Sequence, residues 1–261
     1  AIGGDGTLRG AQAMSEEVIR RGLKIAVIGI PKTIDNDISF VQSSFGFDTA
    51  VSESRTAIDS ANAEALGARN GVGLVKLMGR ESGFIAAYAT MANSDVNFCL
   101  IPEAPFTLEG FLKALKERLK GRGHAVIGVG EGAGQNLMQE TGARDASGNV
   151  KFNDIGLFLK DQINAYFKKE GMEVNLKYID PSYTIRSLPA NPRDSAFCLL
   201  LGRHAVHAGM SGRTGMVVAN WKGEFTHVPI RMAVSSRKKI DPNGRFWSTV
   251  LSCTGQPREM A

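Results

Sequence analysis

The chain opens on a glycine-rich turn that carries one carboxylate. The first two residues read as the end of a buried strand, and residues 3–7 (GGDGT) then lead into a helical pattern. Free backbone N–H groups at a helix N-terminus, together with the helix dipole, favour a bound anion. Because the Asp5 carboxylate would repel a phosphate directly, the turn indicates a phosphate site with Mg²⁺ between the two groups. An ordinary strand–turn–helix corner is the alternative that this stretch leaves open.

A second polar loop follows the apolar run LKIAVIGIP. Pro31 ends this predicted strand, and the loop KTIDND places Lys32, Thr33, Asp35 and Asp37 at its carboxyl end. A carboxylate there can accept the proton of a hydroxyl group, and a neighbouring lysine or metal ion would keep it ionised. The alternative is an Asp-Asn turn that caps the next segment.

Three further stretches carry charged or aromatic groups at strand ends. Arg80 in LMGRESG suits a phosphate or a transferring phosphoryl group, although it could simply pair with Glu81. Glu131, at the end of AVIGVGEG, suits hydrogen bonds to sugar hydroxyls, or else a cap on the next turn. The segment DPSYTIRS offers Tyr183 and Arg186 in a predicted loop as a second phosphate clamp.

The elements that must position these groups alternate along the chain. Apolar runs such as VGLVKLMG, VNFCLIPE and HAVIGVGEG read as buried parallel strands, and amphipathic runs between them read as helices. This alternation predicts an α/β fold whose ligands bind at the carboxyl ends of the strands. Later, TGMVVANWKGEFTHVPI predicts two strands around a Lys222-Gly223 turn, and ETGARDASGNVKFND predicts a surface loop.

Composition and charge give no sign of several other classes of function. The 261 residues include 31 basic and 26 acidic side chains, which are mixed along the chain, so no nucleic-acid partner is predicted. The run RKK at residues 237–239 reads as a solvated face. Three scattered cysteines predict neither disulfides nor a zinc site and favour a reducing, cytoplasmic setting. No apolar run approaches the roughly 20 residues of a membrane span, so no membrane partner is predicted.

The opening strand suggests a longer natural domain. A strand that ends within the first few residues would lie exposed at a sheet edge without upstream neighbours. We therefore expect that the chain lacks an N-terminal part of its natural domain.

The motifs together resemble one family. GGDGT, PKTIDND, FGFDTA, MGRESG, GEG and YTIR occur in the order and approximate spacing of the 6-phosphofructokinase family, over nearly the whole chain. The resemblance implies two Rossmann-like three-layer lobes with mostly parallel sheets. It implies that residues 1–46 are the C-terminal part of the donor (ATP) lobe, that 47–190 are the sugar-phosphate lobe, and that 191–261 are a crossover segment packing on both.

The resemblance also implies an activity. The chain is expected to be an ATP-dependent 6-phosphofructokinase of glycolysis, which transfers a phosphoryl group from Mg-ATP to the C1 hydroxyl of fructose 6-phosphate. Family members are usually dimers or tetramers, which implies a homodimer or a homotetramer. A non-catalytic subunit that binds a sugar phosphate is the alternative from a different functional class.

Roles for individual residues follow from the same resemblance. The donor phosphates would be bordered by Gly4, Asp5, Gly6, Thr7 and Lys32, with Asp5 on the Mg²⁺ side. The sugar phosphate would be bound by Thr33, Ile34, Asp35, Met78, Gly79, Arg80, Glu131, Tyr183 and Arg186. Catalysis would depend on Asp35, Arg80 and Thr33. Asp35 would be the general base, Arg80 would stabilise the transferring group, and Tyr183 and Arg186 would hold the 6-phosphate.

Two positions bear on the phosphoryl donor. Members of the family that use pyrophosphate typically have Asp after GGD and Lys before TIDND, whereas typical bacterial ATP enzymes have Gly at both positions. This chain combines Gly6 with Lys32. An aspartate at position 6 would fill the space of an α-phosphate and repel it, so Gly6 favours ATP. A pyrophosphate-dependent enzyme is the alternative.

Overall fold

The computed structural model describes residues 1–139, 142 and 151–260, so most of the predicted loop ETGARDASGNVKFND lies outside the described residues. The strands are β1 (Ile2–Gly3), β2 (Ile28–Pro31), β3 (Gly71–Leu77), β4 (Phe98–Leu100), β5 (His124–Gly130), β6 (Asn175–Ile179), β7 (Met216–Trp221) and β8 (Glu224–Pro229). The α-helices are α1 (Asp5–Arg20), α2 (Phe47–Leu66), α3 (Phe84–Met91), α4 (Leu108–Arg122), α5 (Ile155–Lys169), α6 (Ser182–Arg186), α7 (Pro192–Met210), α8 (Ile230–Ala233) and α9 (Arg245–Thr254).

The described chain forms two compact units. The first unit is Ala1–Ala50 with Leu188–Lys238, and the second unit is Val51–Ser187 with Lys239–Ala261.

The first unit contains a four-stranded sheet in the order β1-β2-β7-β8. β1 and β7 pair with β2 in parallel, whereas β8 pairs with β7 antiparallel. The predicted turn between β7 and β8 is present, and both Lys222 and Gly223 have positive φ, as a two-residue hairpin requires. Leu8 of α1, Val217 of β7 and Ile230 of α8 are fully buried in its core.

The second unit contains a wholly parallel sheet in the order β4-β5-β3-β6. Phe111 and Leu115 of α4, with Ile163 and Phe167 of α5, form part of its buried core. Helix α2 approaches β3 so closely that a Cβ on Gly73 would lie 2.6 Å from the Ala61 carbonyl oxygen. A glycine at this point of the strand is therefore a requirement of packing.

Capping residues set the ends of several helices. The Thr107 side chain accepts a hydrogen bond from the Gly110 amide and starts α4, and Gly123 ends that helix with a φ of 74°. Asn191 starts α7 in the same way, with Pro192 as the first helical residue. These helix boundaries therefore follow from local sequence.

The structure confirms the predicted α/β class with mostly parallel sheets. The prediction of a strand over all of LKIAVIGIP is wrong at residues 23–27, because strand pairing begins at Ile28, opposite Met216. Leu23 and Ile25, at the start of this run, are 48% and 54% exposed. Within the described residues, none of the helices has the length and apolar character that a membrane span requires.

Candidate functional site

The glycine-rich turn forms the start of α1 in the first unit. Gly4 is the N-cap residue, and no side chain caps the first turn of the helix. Asp5 is the first helical residue, so the expectation that it lies within the turn is wrong by a single residue. Its carboxylate accepts a hydrogen bond of 2.8 Å from Arg9 Nε. A Cβ added to Gly6 would meet no heavy atom within 4 Å, so the space around this position is open.

The KTIDND loop lies directly beside this turn. The Lys32 amide donates to the Gly3 carbonyl oxygen at 3.0 Å. A Cβ on Gly4 would be 3.6 Å from the Thr33 Cβ. Since β1 and β2 are parallel neighbours, both segments leave the sheet at its carboxyl edge. The structure therefore brings the predicted donor residues together with the start of the predicted base loop.

The loop around Asp35 is shaped by its own polar side chains. The Thr33 hydroxyl accepts a hydrogen bond of 3.1 Å from the Asp35 amide. Asn36 has a φ of 54°, and its Oδ1 accepts a 3.1 Å hydrogen bond from the Ser44 amide. Asparagine tolerates this left-handed conformation better than most residues. The loop therefore includes a local turn of the kind that sequence reasoning offered as the alternative, and Asp35 lies half-buried within it.

Lys238, which sequence reasoning did not predict as a site residue, stabilises this loop through hydrogen bonds. Lys238 Nζ donates to Asn36 Oδ1 at 3.0 Å, to the Val41 carbonyl at 2.7 Å and to the Gln42 carbonyl at 3.2 Å. Burial lowers the pKa of Lys238 to about 8, against the opposing effect of the Asp37 charge. Lys238 and the loop are roughly 200 positions apart in the sequence, so no local sequence pattern predicts the contact.

Asp37 is buried beside a second residue of the same basic run. Burial raises the pKa of Asp37, and the Arg237 guanidinium, whose Nη1 lies 3.5 Å from Asp37 Oδ2, acts to lower it. The prediction that residues 237–239 form a solvated face is therefore wrong for Arg237 and Lys238, which are drawn inward by this loop, and right for the exposed Lys239.

In the second unit, Glu131 holds the turn that carries Arg80. Glu131 Oε1 accepts a hydrogen bond of 2.8 Å from the Arg80 amide and a longer one of 3.3 Å from the Gly79 amide. Gly79 and Arg80 both have positive φ, of 136° and 50°. The suggestion that Glu131 caps the turn after it is wrong, because its carboxylate binds the end of the neighbouring strand β3. The role of Glu131 in binding sugar hydroxyls stays a prediction.

Tyr183 and Arg186 lie on the short helix α6. The prediction of a loop is wrong because residues 182–186 form one helical turn, and Asp180 Oδ1 accepts a hydrogen bond of 3.1 Å from the amide of Ser182, its first residue. The Arg186 guanidinium carbon lies 4.7 Å from the centre of the Tyr183 ring. The structure therefore brings together the two groups predicted to clamp a phosphate. Both side chains are exposed to solvent.

Comparison with known proteins identifies the family. The family model for phosphofructokinase matches residues 1–209. The chain belongs to the phosphofructokinase family. This confirms the resemblance drawn from GGDGT, TIDND and MGR. The roles expected for the individual residues stay predictions.

Curated relatives in this family are similar in sequence to nearly the whole of this chain. It is 54% identical to an ATP-dependent 6-phosphofructokinase of Borreliella burgdorferi, covering 99% of this chain and 60% of that protein. It is 50% identical to ATP-dependent 6-phosphofructokinase 7 of Arabidopsis thaliana, covering 98% of this chain and 54% of that protein. The chain thus spans about half to three-fifths of the length of these curated relatives.

Solved structures of phosphofructokinases share the fold. A pyrophosphate-dependent phosphofructokinase from Marinobacter aquaeolei superposes with a TM-score of 0.75 at 19% identity, over 100% of this chain and 70% of that one. Pichia pastoris phosphofructokinase gives a TM-score of 0.68 at 22% identity, over 97% of this chain and 28% of that one. At these identities the likeness concerns the fold and not the choice of phosphoryl donor.

Proposed function

We propose that this chain carries the catalytic residues of an ATP-dependent 6-phosphofructokinase, which phosphorylates the C1 hydroxyl of fructose 6-phosphate. The proposal is supported by relatives of that name at 50% and 54% identity. The structural observation that carries it is the contact between two loops of the first unit. An uncapped helix N-terminus with open space at Gly6 lies next to a loop that bears Lys32, Thr33 and Asp35.

The donor phosphates bind along Gly4, Asp5, Gly6, Thr7 and Lys32 in this proposal. Backbone N–H groups at the start of α1 and the exposed Lys32 ammonium suit an anion. Asp5 fits Mg²⁺, because this ion is commonly held by one or two carboxylates together with waters and substrate phosphates. When bound, Mg²⁺ would neutralise phosphate charge, and its protein ligand would be the Asp5 carboxylate.

The proposal also assigns a role to each residue that recognises the sugar phosphate. Thr33 and Ile34 contact the sugar, and Asp35 accepts the proton of the C1 hydroxyl as that oxygen attacks phosphorus. Arg80 neutralises charge on the transferring phosphoryl group, while Met78 and Gly79 line the sugar. Glu131 Oε2 accepts hydrogen bonds from the hydroxyls, and Tyr183 and Arg186 hold the 6-phosphate. Phosphoryl transfer depends mainly on such positioning and charge neutralisation, which these residue types supply.

The test is a coupled assay for fructose 1,6-bisphosphate on the full-length protein, with Mg-ATP and, separately, with Mg-pyrophosphate. We expect turnover with ATP. Turnover with pyrophosphate alone would give Lys32 the deciding role and contradict the proposed donor. Turnover with neither donor, together with measurable fructose 6-phosphate binding, would favour a non-catalytic sugar-phosphate-binding subunit.

Substitutions at Gly6 test whether ATP is the phosphoryl donor. Gly6→Asp places a carboxylate in the open space, and the first turn of a helix tolerates an acidic residue, so the fold should survive. We expect the KM for ATP to rise at least about tenfold through repulsion of the phosphates. Gly6→Ala, which adds only a methyl group, is the matched control and should change this KM little.

We also propose a cytoplasmic enzyme of glycolysis that assembles as a homodimer or homotetramer. Light scattering on the purified full-length protein measures its mass. A monomer at working concentration would contradict the assembly.

A further inference from the structure

One ammonium group joins three elements of the second unit. Lys76, near the end of β3, lies 2.7 Å from Asp154 Oδ2 and 2.8 Å from Asp180 Oδ2. Asp154 precedes α5, and Asp180 follows β6. The Lys76 side chain is only 13% exposed, so this bridge is largely withdrawn from water.

Each carboxylate uses its other oxygen at the start of a helix, Asp154 as the N-cap of α5 and Asp180 through Ser182, the first residue of α6. Asp154 Oδ1 accepts hydrogen bonds from the Leu157 amide at 3.0 Å and the Tyr178 hydroxyl at 3.1 Å, and Asp154 is the N-cap residue of α5. Asp180 Oδ1 accepts hydrogen bonds from the Ser182 amide at 3.1 Å and from the Ser182 hydroxyl. The same two carboxylates thus orient two helices and bind one cation.

The charges of this cluster stabilise one another. Burial acts to lower the pKa of Lys76, but the hydrogen bonds to Asp154 and Asp180 outweigh it and raise this pKa. Burial acts to raise the pKa values of Asp154 and Asp180, but the Lys76 ammonium and the amide donors hold both below their ordinary value. The cluster therefore stays charged at neutral pH, with one cation between two anions.

The position of the cluster connects it to the predicted phosphate clamp. β3 and β6 are parallel neighbours, and their pairing ends with Val75 opposite Ile179, so Lys76 and Asp180 are the next residues on the two adjacent chains. Along the chain, Arg80 follows Lys76 by four residues, and Tyr183 follows Asp180 by three.

We infer that Lys76 is a positioning residue for the sugar-phosphate clamp: through Asp180 it holds α6, and with it Tyr183 and Arg186, in register with the strand that leads to Arg80. The inference rests on the proposed function, in which Tyr183 and Arg186 bind the 6-phosphate. Lys76 itself touches no substrate in this assignment. Its ammonium sets where the Arg186 guanidinium lies, because it binds the Asp180 carboxylate, and the other oxygen of that carboxylate holds Ser182, the first residue of α6.

A structural salt bridge with no link to the substrate is the competing explanation, and the chain offers a matched control for it. Lys116 of α4 pairs with Glu170, just beyond the end of α5, and the two side chains are 23% and 32% exposed. This pair also joins separate elements of the second unit, but neither partner adjoins a predicted site residue. Lys116→Met should therefore lower stability without changing the kinetics.

The experiment measures kcat and both KM values for full-length wild type, Lys76→Met, Lys76→Arg and Lys116→Met. We expect Lys76→Met to raise the KM for fructose 6-phosphate about tenfold or more and to leave the KM for ATP within about twofold. Lys76→Arg keeps the cation and should recover part of the loss. An unchanged KM for fructose 6-phosphate in a folded Lys76→Met protein would overturn the inference.

A double-mutant cycle with Arg186→Met tests the proposed route. If Lys76 acts through Arg186, Lys76→Met should change the KM for fructose 6-phosphate much less in the Arg186→Met background than in wild type. Fully additive effects would overturn the inference. Should Lys76→Met fail to fold, Asp180→Asn takes its place, since the amide oxygen can still accept from Ser182 while the ion pair to Lys76 is lost.

The same measurements separate this inference from the proposed function. A wild-type protein without turnover of fructose 6-phosphate would contradict the proposed function and the inference with it. An active wild type with unchanged kinetics in Lys76→Met would contradict the inference alone.

Discussion

The loops that carry Asp35 and Arg80 are held in place by groups of opposite charge. In the first unit, the Asp35 loop turns carbonyl and amide oxygens towards the Lys238 ammonium. In the second unit, the Arg80 turn directs two backbone N–H groups at the Glu131 carboxylate. A cation thus supports the loop that carries Asp35, the proposed base, and an anion supports the turn that carries Arg80, the proposed phosphate-binding cation.

This difference follows from which backbone groups each loop leaves unpaired. A loop that folds back on itself with its carbonyl oxygens inward needs a donor, and a buried lysine supplies up to three hydrogen bonds from one atom. A turn with two successive positive φ values points adjacent N–H groups the same way, and a carboxylate satisfies both. The supporting charge is therefore set by backbone geometry, and removing it should affect the two loops differently.

The largest effect is expected from removing the Asp35 carboxylate, the proposed general base. Asp35→Ala should lower kcat about 10²- to 10⁴-fold in the full-length enzyme, because the C1 hydroxyl loses its proton acceptor, with little change in sugar binding. The coupled assay and a fructose 6-phosphate titration measure both quantities. Asp161→Ala, at an exposed carboxylate of α5, is the control. Normal turnover in Asp35→Ala would contradict the assignment of Asp35 as the general base.

Removing the cationic support should destabilise the first loop. Lys238→Met removes the ammonium donor from the oxygens of Asn36, Val41 and Gln42 in a poorly hydrated place, although Asn36 Oδ1 still accepts from the Ser44 amide. We expect a loss of about 3 kcal/mol in the free energy of unfolding, together with a fall in kcat. Urea denaturation measures the first and the coupled assay the second. Lys239→Met changes the neighbouring exposed lysine, and equal losses in both variants would contradict the role of Lys238.

Removing the Glu131 carboxylate should lower the free energy of unfolding by less than removing the Lys238 ammonium. Glu131→Ala leaves two amides without an acceptor, but the turn is short and water can reach part of it. We expect a loss of about 2 kcal/mol in the free energy of unfolding. Glu131→Gln keeps a neutral acceptor and should lose less than Glu131→Ala in the same urea titration. If the two variants were equally destabilised, the hydrogen bonds to Gly79 and Arg80 would not be the cause.

The smallest effect concerns acid stability of the second unit. Asp154 and Asp180 have pKa values below their ordinary value in the folded protein, so they bind fewer protons than in the unfolded chain as the pH falls. Their contribution is complete above about pH 5, where both carboxylates are ionised in the folded and in the unfolded chain, and it is lost as the pH drops through the folded pKa values. Urea midpoints below pH 5 should therefore fall less steeply in Asp180→Asn than in wild type. Parallel profiles would contradict this assignment.

Sequence reasoning recovered the elements and the motifs because both depend on local patterns. The alternation of apolar and amphipathic runs predicted β3, β5 and the helices around them, and the Lys222-Gly223 turn predicted the hairpin. The glycines and carboxylates at strand ends predicted that residues 3–7 and 32–35 leave the sheet at its carboxyl edge. Strand ends were less accurate, since pairing partners decide where β2 begins.

The sequence by itself determined the α/β class, the family and the residue types available for phosphoryl transfer. Only the tertiary structure decided which groups support those residues. Glu131 binds the Arg80 turn across 51 positions, and Lys238 binds the Asp35 loop across roughly 200. Lys76 reaches Asp154 across 78 positions in the same way. Such contacts leave no periodic or local trace in a sequence, because they arise only when folding brings residues that are far apart in the chain next to each other.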